Sequence, residues 1–219
     1  MRNGQSRDED WPTSRGRRTR TRIVDIAGGL FARYGVAGTS IEDVRAAAGV
    51  SGSQITYYFS TKQGLIRAVI GREADAAING LGVPGRARFR ALEDLYSWAE
   101  KAADPQGPAC RLGALAGELV QCDPQTQAEL ALAFERWAFA LSRALQGLRS
   151  RGLLRSEAEP QSLAYALLAG LHGGVLVSRA VESSTPADGA MRVVLDYITS
   201  LRTDSSTDAS GDATIPRQP

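Results

Sequence analysis

The sequence predicts an all-α protein of about nine helices, and three observations carry that prediction. Apolar residues recur at helical spacing along most of the chain, with no alternating run of strand length. Residues 39–62 read as two short capped helices around a tight glycine turn. Upstream of them, five arginines (Arg15, Arg17, Arg18, Arg20 and Arg22) stand together without an acidic residue. The expected arrangement is an N-terminal three-helix helix-turn-helix domain followed by a C-terminal helical domain.

Within residues 39–62, Ile41, Val44 and Ala48 form one apolar helical face. Thr39 stands three residues before Glu42, the spacing of a capping box. Gly49 is free to take the positive φ of a helix end. Ser51 opens the next helix with Gln54 three residues on, a second capping box. Helix, glycine turn and helix is the pattern whose second helix enters the DNA major groove. Before it, Ile23, Ile26, Ala27, Leu30, Phe31 and Tyr34 give the first helix an apolar stripe, over residues 19–34.

The run from Leu30 to Ile70 resembles the DNA-binding domain of the TetR family of bacterial repressors. The resemblance rests on Phe31, Tyr34-Gly35, Thr39-Ser40-Ile41, Ala47 to Ser51, Tyr58-Phe59, Lys62 and Leu65. These span about a quarter of the chain; the remainder carries no motif. Thr56 and Gly52 depart from the tyrosine and lysine that many members carry there. The resemblance implies a homodimeric, ligand-responsive repressor acting on a palindromic operator, and phosphate contacts at Thr39, Ser40 and Lys62.

The second helix of the motif, residues 52–58, leaves Ser53, Gln54, Thr56 and Tyr57 for the groove, with Ser51 at its start. Gln54 has two readings, a bidentate contact to adenine and the capping-box role. The arginines at the start of the first helix suit phosphate or minor-groove contact, those up to Arg18 within a disordered basic arm expected over residues 1–18. Charge is distributed accordingly. The net charge is +2, but residues 1–72 hold twelve basic and six acidic residues, and the remainder fourteen and eighteen.

Thr61 caps a fourth helix that runs to about Asn79; the resemblance implies that it joins the DNA-binding part (19–64) to the ligand-binding and dimerisation body (65–202). Gly80 to Gly85 breaks the chain, and the body begins near Arg86. Phe89, Leu92, Leu95, Tyr96 and Trp98 mark a fifth helix; Cys110–Val120 reads as a sixth. Asp123 caps a long seventh, with Pro124 at its first position. Glu159-Pro160 opens an eighth and Thr185-Pro186 a ninth. Residues 203–219 read as a disordered tail.

The eighth helix is apolar nearly all round and carries small residues at Ala166, Ala169, Gly170, Gly173 and Gly174. It is either a central core helix or, with Val194, Tyr197, Ile198 and Leu201 of the ninth, a dimer interface; the resemblance favours the interface. Leu95, Trp98, Leu112, Leu115, Leu119, Phe134, Trp137 and Leu141 are either plain core or the walls of a cavity for an apolar or aromatic inducer. Arg111 and His172 would add polar contacts there, His172 being otherwise a core histidine.

Cys110 and Cys122 would stand too far apart to bridge if both lay on one helix. They read as ordinary thiols or as redox or intersubunit groups. A single histidine cannot build a metal cluster or most catalytic triads, and no phosphate loop is present. No cofactor is called for, and an enzyme is disfavoured. The remaining alternative to an inducible repressor is a helical architectural or protein-interaction module. The N-terminus lacks an apolar h-region and no apolar run reads as a membrane span, so the expected location is the cytoplasm, with no membrane partner.

Overall fold

The computed structural model describes residues 13–81, 89–104, 107–119 and 122–203. Among them lie nine helices: α1 (Ser14–Tyr34), α2 (Ile41–Ala48), α3 (Gly52–Tyr58), α4 (Lys62–Asn79), α5 (Leu92–Ala102), α6 (Pro108–Glu118), α7 (Pro124–Ser150), α8 (Pro160–Ala180) and α9 (Thr185–Ser200). An isolated antiparallel bridge between Leu154 and Arg202 is added to them. Residues 82–85 of the break expected over 80–85, the start of the body near Arg86, most of the N-terminal segment, and residues 204–219 of the tail expected over 203–219 lie outside the described residues.

The first helix begins earlier than its apolar stripe suggested. The Thr13 hydroxyl accepts the Gly16 N–H at 3.1 Å, so Arg15, Arg17 and Arg18 are helical and not part of the disordered arm expected over residues 1–18. Its buried face is Ile23, Val24, Ala27, Gly28 and Phe31. Tyr34, expected on that face, is 54 % exposed.

The cap of α2 also differs from the expected one. Thr39 is only 2 % exposed, and its hydroxyl donates to the Gly35 carbonyl at 2.8 Å. Ser40 and Asp43 form the capping box instead. Gly49 closes α2 at φ 59°, ψ 42°, the left-handed turn the motif needs. Ser51 and Gln54 cap α3 as expected. Val36, Val44, Ala48, Val50, Ile55 and Phe59 join the buried face of α1 in the core of the head.

Helix α4 is continuous across the boundary expected at residues 64–65. It packs on α1 of the DNA-binding part and on α6 and α7 of the body. Ion pairs reinforce those contacts: Arg72 to Asp25 of α1 at 2.8 Å, Arg136 of α7 to Asp75 at 2.5 Å, and Arg67 to Asp123 at 3.5 Å. Glu73, 5 % exposed, meets Arg111 of α6 at 2.9 Å and lies 3.0 Å from where a Gly28 side chain would begin. Pro108 starts α6 two residues before the expected Cys110, since its fixed φ suits the first helical position. Phe89 precedes α5, not within it, but is buried and packs near Trp98. The cysteines do not share a helix: Cys110 is in α6 and Cys122 beyond its end, and both are free thiols.

Helices α8 and α9 form the most extensive helix pair. Gly174 permits it: a Cβ there would lie 2.8 Å from Ala187 Cα. Gly170 faces Val194 in the same way at 3.3 Å. By length and composition α8 is apolar enough to cross a membrane, but its inner face is engaged by α7 and α9.

Candidate functional site

The helix-turn-helix presents α3 outward. Ser51, Ser53, Gln54, Thr56 and Tyr57 are all exposed, while Ile55 is buried against the head core. Tyr57 is 66 % exposed and meets Tyr58 edge to face at 5.2 Å. The Thr56 hydroxyl donates to Gly52 C=O, and the Ser51 and Ser53 hydroxyls lie 3.0 Å apart. Gln54 is committed locally: its Oε1 accepts the Ser51 N–H at 2.9 Å, and its own N–H bonds back to Ser51 Oγ. The capping role therefore operates in this structure.

Three other expected DNA contacts are engaged inside the head. Thr39 is buried. Lys62 Nζ donates to the Val36 carbonyl at 2.6 Å. Arg20 lies over the Phe59 ring at 5.2 Å, tying α1 to the end of α3. Ser40 is exposed, but its hydroxyl is held by Asp43 at 2.6 Å. Arg15, Arg17 and Arg18 are exposed on the first turns of α1. That turn holds no acidic residue, so cations crowd the positive end of the helix dipole. Neighbouring anions would relieve this arrangement.

In the body, Leu95, Trp98, Leu112, Leu115, Trp137 and Leu141 are core residues, none more than 4 % exposed. Arg111, expected as a ligand contact, is the partner of Glu73. A cavity of about 240 Å³ opens instead between α6 and α8. Its walls are Ala109, Cys110, Gly113, Ala114, Gly117 and Glu118 of α6 with Leu171, His172, Val175, Leu176 and Arg179 of α8. Of the expected lining residues only His172 belongs to it. Leu119 and Phe134 border a second hollow of about 260 Å³ with Ala116, Gln127, Leu130 and Ala131. The sequence signal missed was the run of small residues at 109, 113, 114 and 117, which marks a hollow rather than a filled face.

His172 is packed edge-on against Phe134 and Trp137, with ring centroids 5.2 and 5.4 Å away. Its Nδ1 lies 3.0 Å from the Leu168 carbonyl. A Cβ on Gly113 would meet its ring at 2.5 Å, so only glycine admits this packing. Burial pushes its pKa below 6.5, against the smaller opposing effect of the Leu168 bond. The unfolded chain thus gains a proton more readily than the folded one, and stability is lost as pH falls below about 6.5. Between about pH 7.5 and about pH 5 the melting temperature should fall more for the wild type than for His172→Gln. Parallel curves would show that the imidazole does not govern this window. Burial likewise raises the pKa of the Cys110 thiol, which keeps it protonated.

The expected interface residues divide into two sets. Ile198 is fully buried and Gly170, Gly174, Val194 and Leu201 are at least partly covered, so these serve the α8–α9 contact or the core within the chain. Ala166 is half-buried. Ala169, Gly173 and Tyr197 face outward, beside exposed Tyr165, Leu176, Val177 and Val193.

Comparison with known proteins agrees with this architecture. The family described as bacterial regulatory proteins, tetR family, matches residues 23–69, and the tetracyclin repressor-like C-terminal domain matches residues 85–194. The HTH-type transcriptional repressor DhaR of Mycobacterium sp. (strain GP1) is 23 % identical over 186 residues, covering 82 % of this chain and 91 % of that protein. A TetR transcriptional regulator from Chloroflexus aurantiacus J-10-FL superposes with a TM-score of 0.70 at 25 % identity, over 87 % of this chain and 98 % of the other. A TetR-family regulator from Cytophaga hutchinsonii shares the fold with a TM-score of 0.72 at 17 % identity, over 89 % of this chain and 100 % of that one. The head that presents α3 and the helical body that follows it thus both have their counterparts in one family, and the chain belongs to the TetR family of DNA-binding transcriptional regulators, not to the enzymes.

Proposed function

We propose that the protein is a homodimeric repressor, acting in the cytoplasm, that holds a palindromic operator and releases it when a small, largely apolar ligand enters its body. The observation that carries this reading is a capped, outward-facing α3 on the same chain as an apolar-walled cavity. On α3, Ser53, Thr56 and Tyr57 are the base readers, with short hydroxyls for base edges and an aromatic ring for a thymine methyl or phosphate. Gln54 serves chiefly as the cap. Arg15, Arg17 and Arg18 supply phosphate contacts.

The outward apolar stripe on α8 and α9 supports pairing of two subunits. Two-fold pairing doubles a site that one seven-residue helix reads only briefly. Helix α4 links head and body, so a ligand that shifts its body end changes the separation of the two recognition helices. The ligand must bind the DNA-incompatible state more tightly, because equal affinity for both shifts nothing.

The test begins with DNA selected by the protein from a random pool, followed by gel shifts at several salt concentrations. Replacing Arg15, Arg17 and Arg18 together by Ala should weaken binding to all sequences and flatten the log–log salt slope by about 0.9 for each phosphate no longer neutralised. Thr56→Ala or Tyr57→Ala should instead change base preference. Unchanged salt slope and unchanged preference would remove these residues from the interface. Thermal-shift screening of a metabolite library, followed by gel shifts with the hits, tests ligand control.

A further inference from the structure

The turn between α1 and α2 is held from two directions at a single residue. Glu118, the last residue of α6, accepts the backbone N–H of Val36 at 2.6 Å. Lys62, the first residue of α4, donates to the carbonyl of the same residue. Val36 itself is 7 % exposed and belongs to the head core. Gly35 makes the approach possible. It sits at φ 76°, and a Cβ on it would lie 3.0 Å from Glu118 Oε2. A body side chain thus grips the backbone from which the helix-turn-helix departs.

Glu118 has a second role in the geometry. It lines the cavity between α6 and α8, and it is the one acidic residue among the described residues lining that cavity. Ala114, one helical turn earlier, lines the cavity on the same face. The other walls are mostly small and apolar. A carboxylate has acceptor capacity beyond its one bond to Val36, so a donor in the hollow, which Arg179 also lines, can compete for it. The same carboxylate that an occupant would meet is the one that holds the Val36 amide.

We propose that Glu118 couples the cavity to the DNA-binding head, and that the occupant is an apolar molecule carrying a hydrogen-bond donor, an amine or a hydroxyl. With the cavity empty, Glu118 holds Val36 and the head stays in its DNA-binding position. A donor in the cavity draws the carboxylate away, and the α1–α2 turn is released. The ligand then binds the released state more tightly, which is the differential affinity that any effector needs. This inference rests on the reading that a body ligand governs operator release, and it adds a route through α6 to the one through α4.

The experiment needs no ligand. In Ala114→Lys the introduced side chain lays an apolar stem in the cavity and brings an ammonium to Glu118 across one helical turn. Ala114→Met fills the same space without the donor. Operator affinity, hydrogen exchange of the Val36 amide and melting are measured for both, each with and without Glu118→Ala. Ala114→Lys should weaken operator binding by about tenfold and speed exchange at Val36, whereas Ala114→Met should leave both nearly unchanged. Glu118→Ala should reproduce the loss, and adding Ala114→Lys to it should change operator affinity by no more than about twofold. Glu118→Gln keeps an acceptor oxygen and should retain Val36 protection and operator binding, which separates this role from general packing. Undiminished loss from Ala114→Lys in the Glu118→Ala background overturns the coupling, as does wild-type Val36 exchange in Glu118→Ala. If the coupling fails while a compound from the screen still releases DNA, ligand control stands without this route. If no compound releases DNA but Ala114→Lys does, the coupling stands and ligand control falls.

Discussion

Trp137→Ala should destabilise the protein by about 3–5 kcal/mol, which for a chain of this size lowers the melting temperature by roughly 6–20 °C. Trp137 is 0 % exposed and stacks near Phe134, with His172 edge-on. Truncation would remove the indole and leave a void that the long helix α7 cannot collapse without shifting α8. Trp98, 4 % exposed, should behave similarly. Sequence alone left both tryptophans open as walls of a ligand site. Their burial makes them core, so their truncation should appear in melting before it appears in ligand response. Calorimetry or chemical denaturation decides this: a loss below about 1 kcal/mol would mean that the site is looser than this packing implies.

Two adjacent glycines on α8 should give opposite failures when replaced. Gly173 is exposed, and a Cβ there meets nothing within 4 Å. Gly173→Glu should therefore leave the subunit folded and, on the proposed pairing, separate the dimer and abolish tight operator binding, because it places a charge in the apolar stripe proposed to meet a second copy. Gly174→Val should instead melt early, since Ala187 Cα stands 2.8 Å from the new Cβ and backbone must move. Light scattering, circular dichroism and the gel shift, run on both variants, separate these outcomes. A Gly173→Glu protein that remains dimeric and binds operator at wild-type strength would place the interface elsewhere.

The sequence by itself determined most of the helices and several of their caps. Ser51 and Gln54 formed the box their spacing predicts, Gly49 took the left-handed turn, and Asp123 with Pro124 opened α7. These are local matters, decided within a turn or two by hydrogen-bonding capacity and allowed φ. The family was legible for the same reason, since its motif lies in one continuous stretch. Tertiary structure alone decided which of several equivalent residues does each job. Thr39 and Ser40 could both cap α2, and the choice fell to Ser40 because Thr39 is drawn inward to the Gly35 carbonyl. Arg20 and Lys62 look in sequence like phosphate cations, yet Phe59 and Val36 occupy them, partners that only the folded head brings near. The cavity was hidden for a related reason. An apolar stripe tells which face is covered but not whether the space beneath it is filled, because filling depends on how closely another helix approaches. Here small residues on α6 hold open a hollow against α8, while Trp98 and Trp137, expected to frame it, are packed solid. Glu118 and Val36 are eighty-two residues apart in the chain, and no periodicity reports on a pair that only the docking of body on head creates.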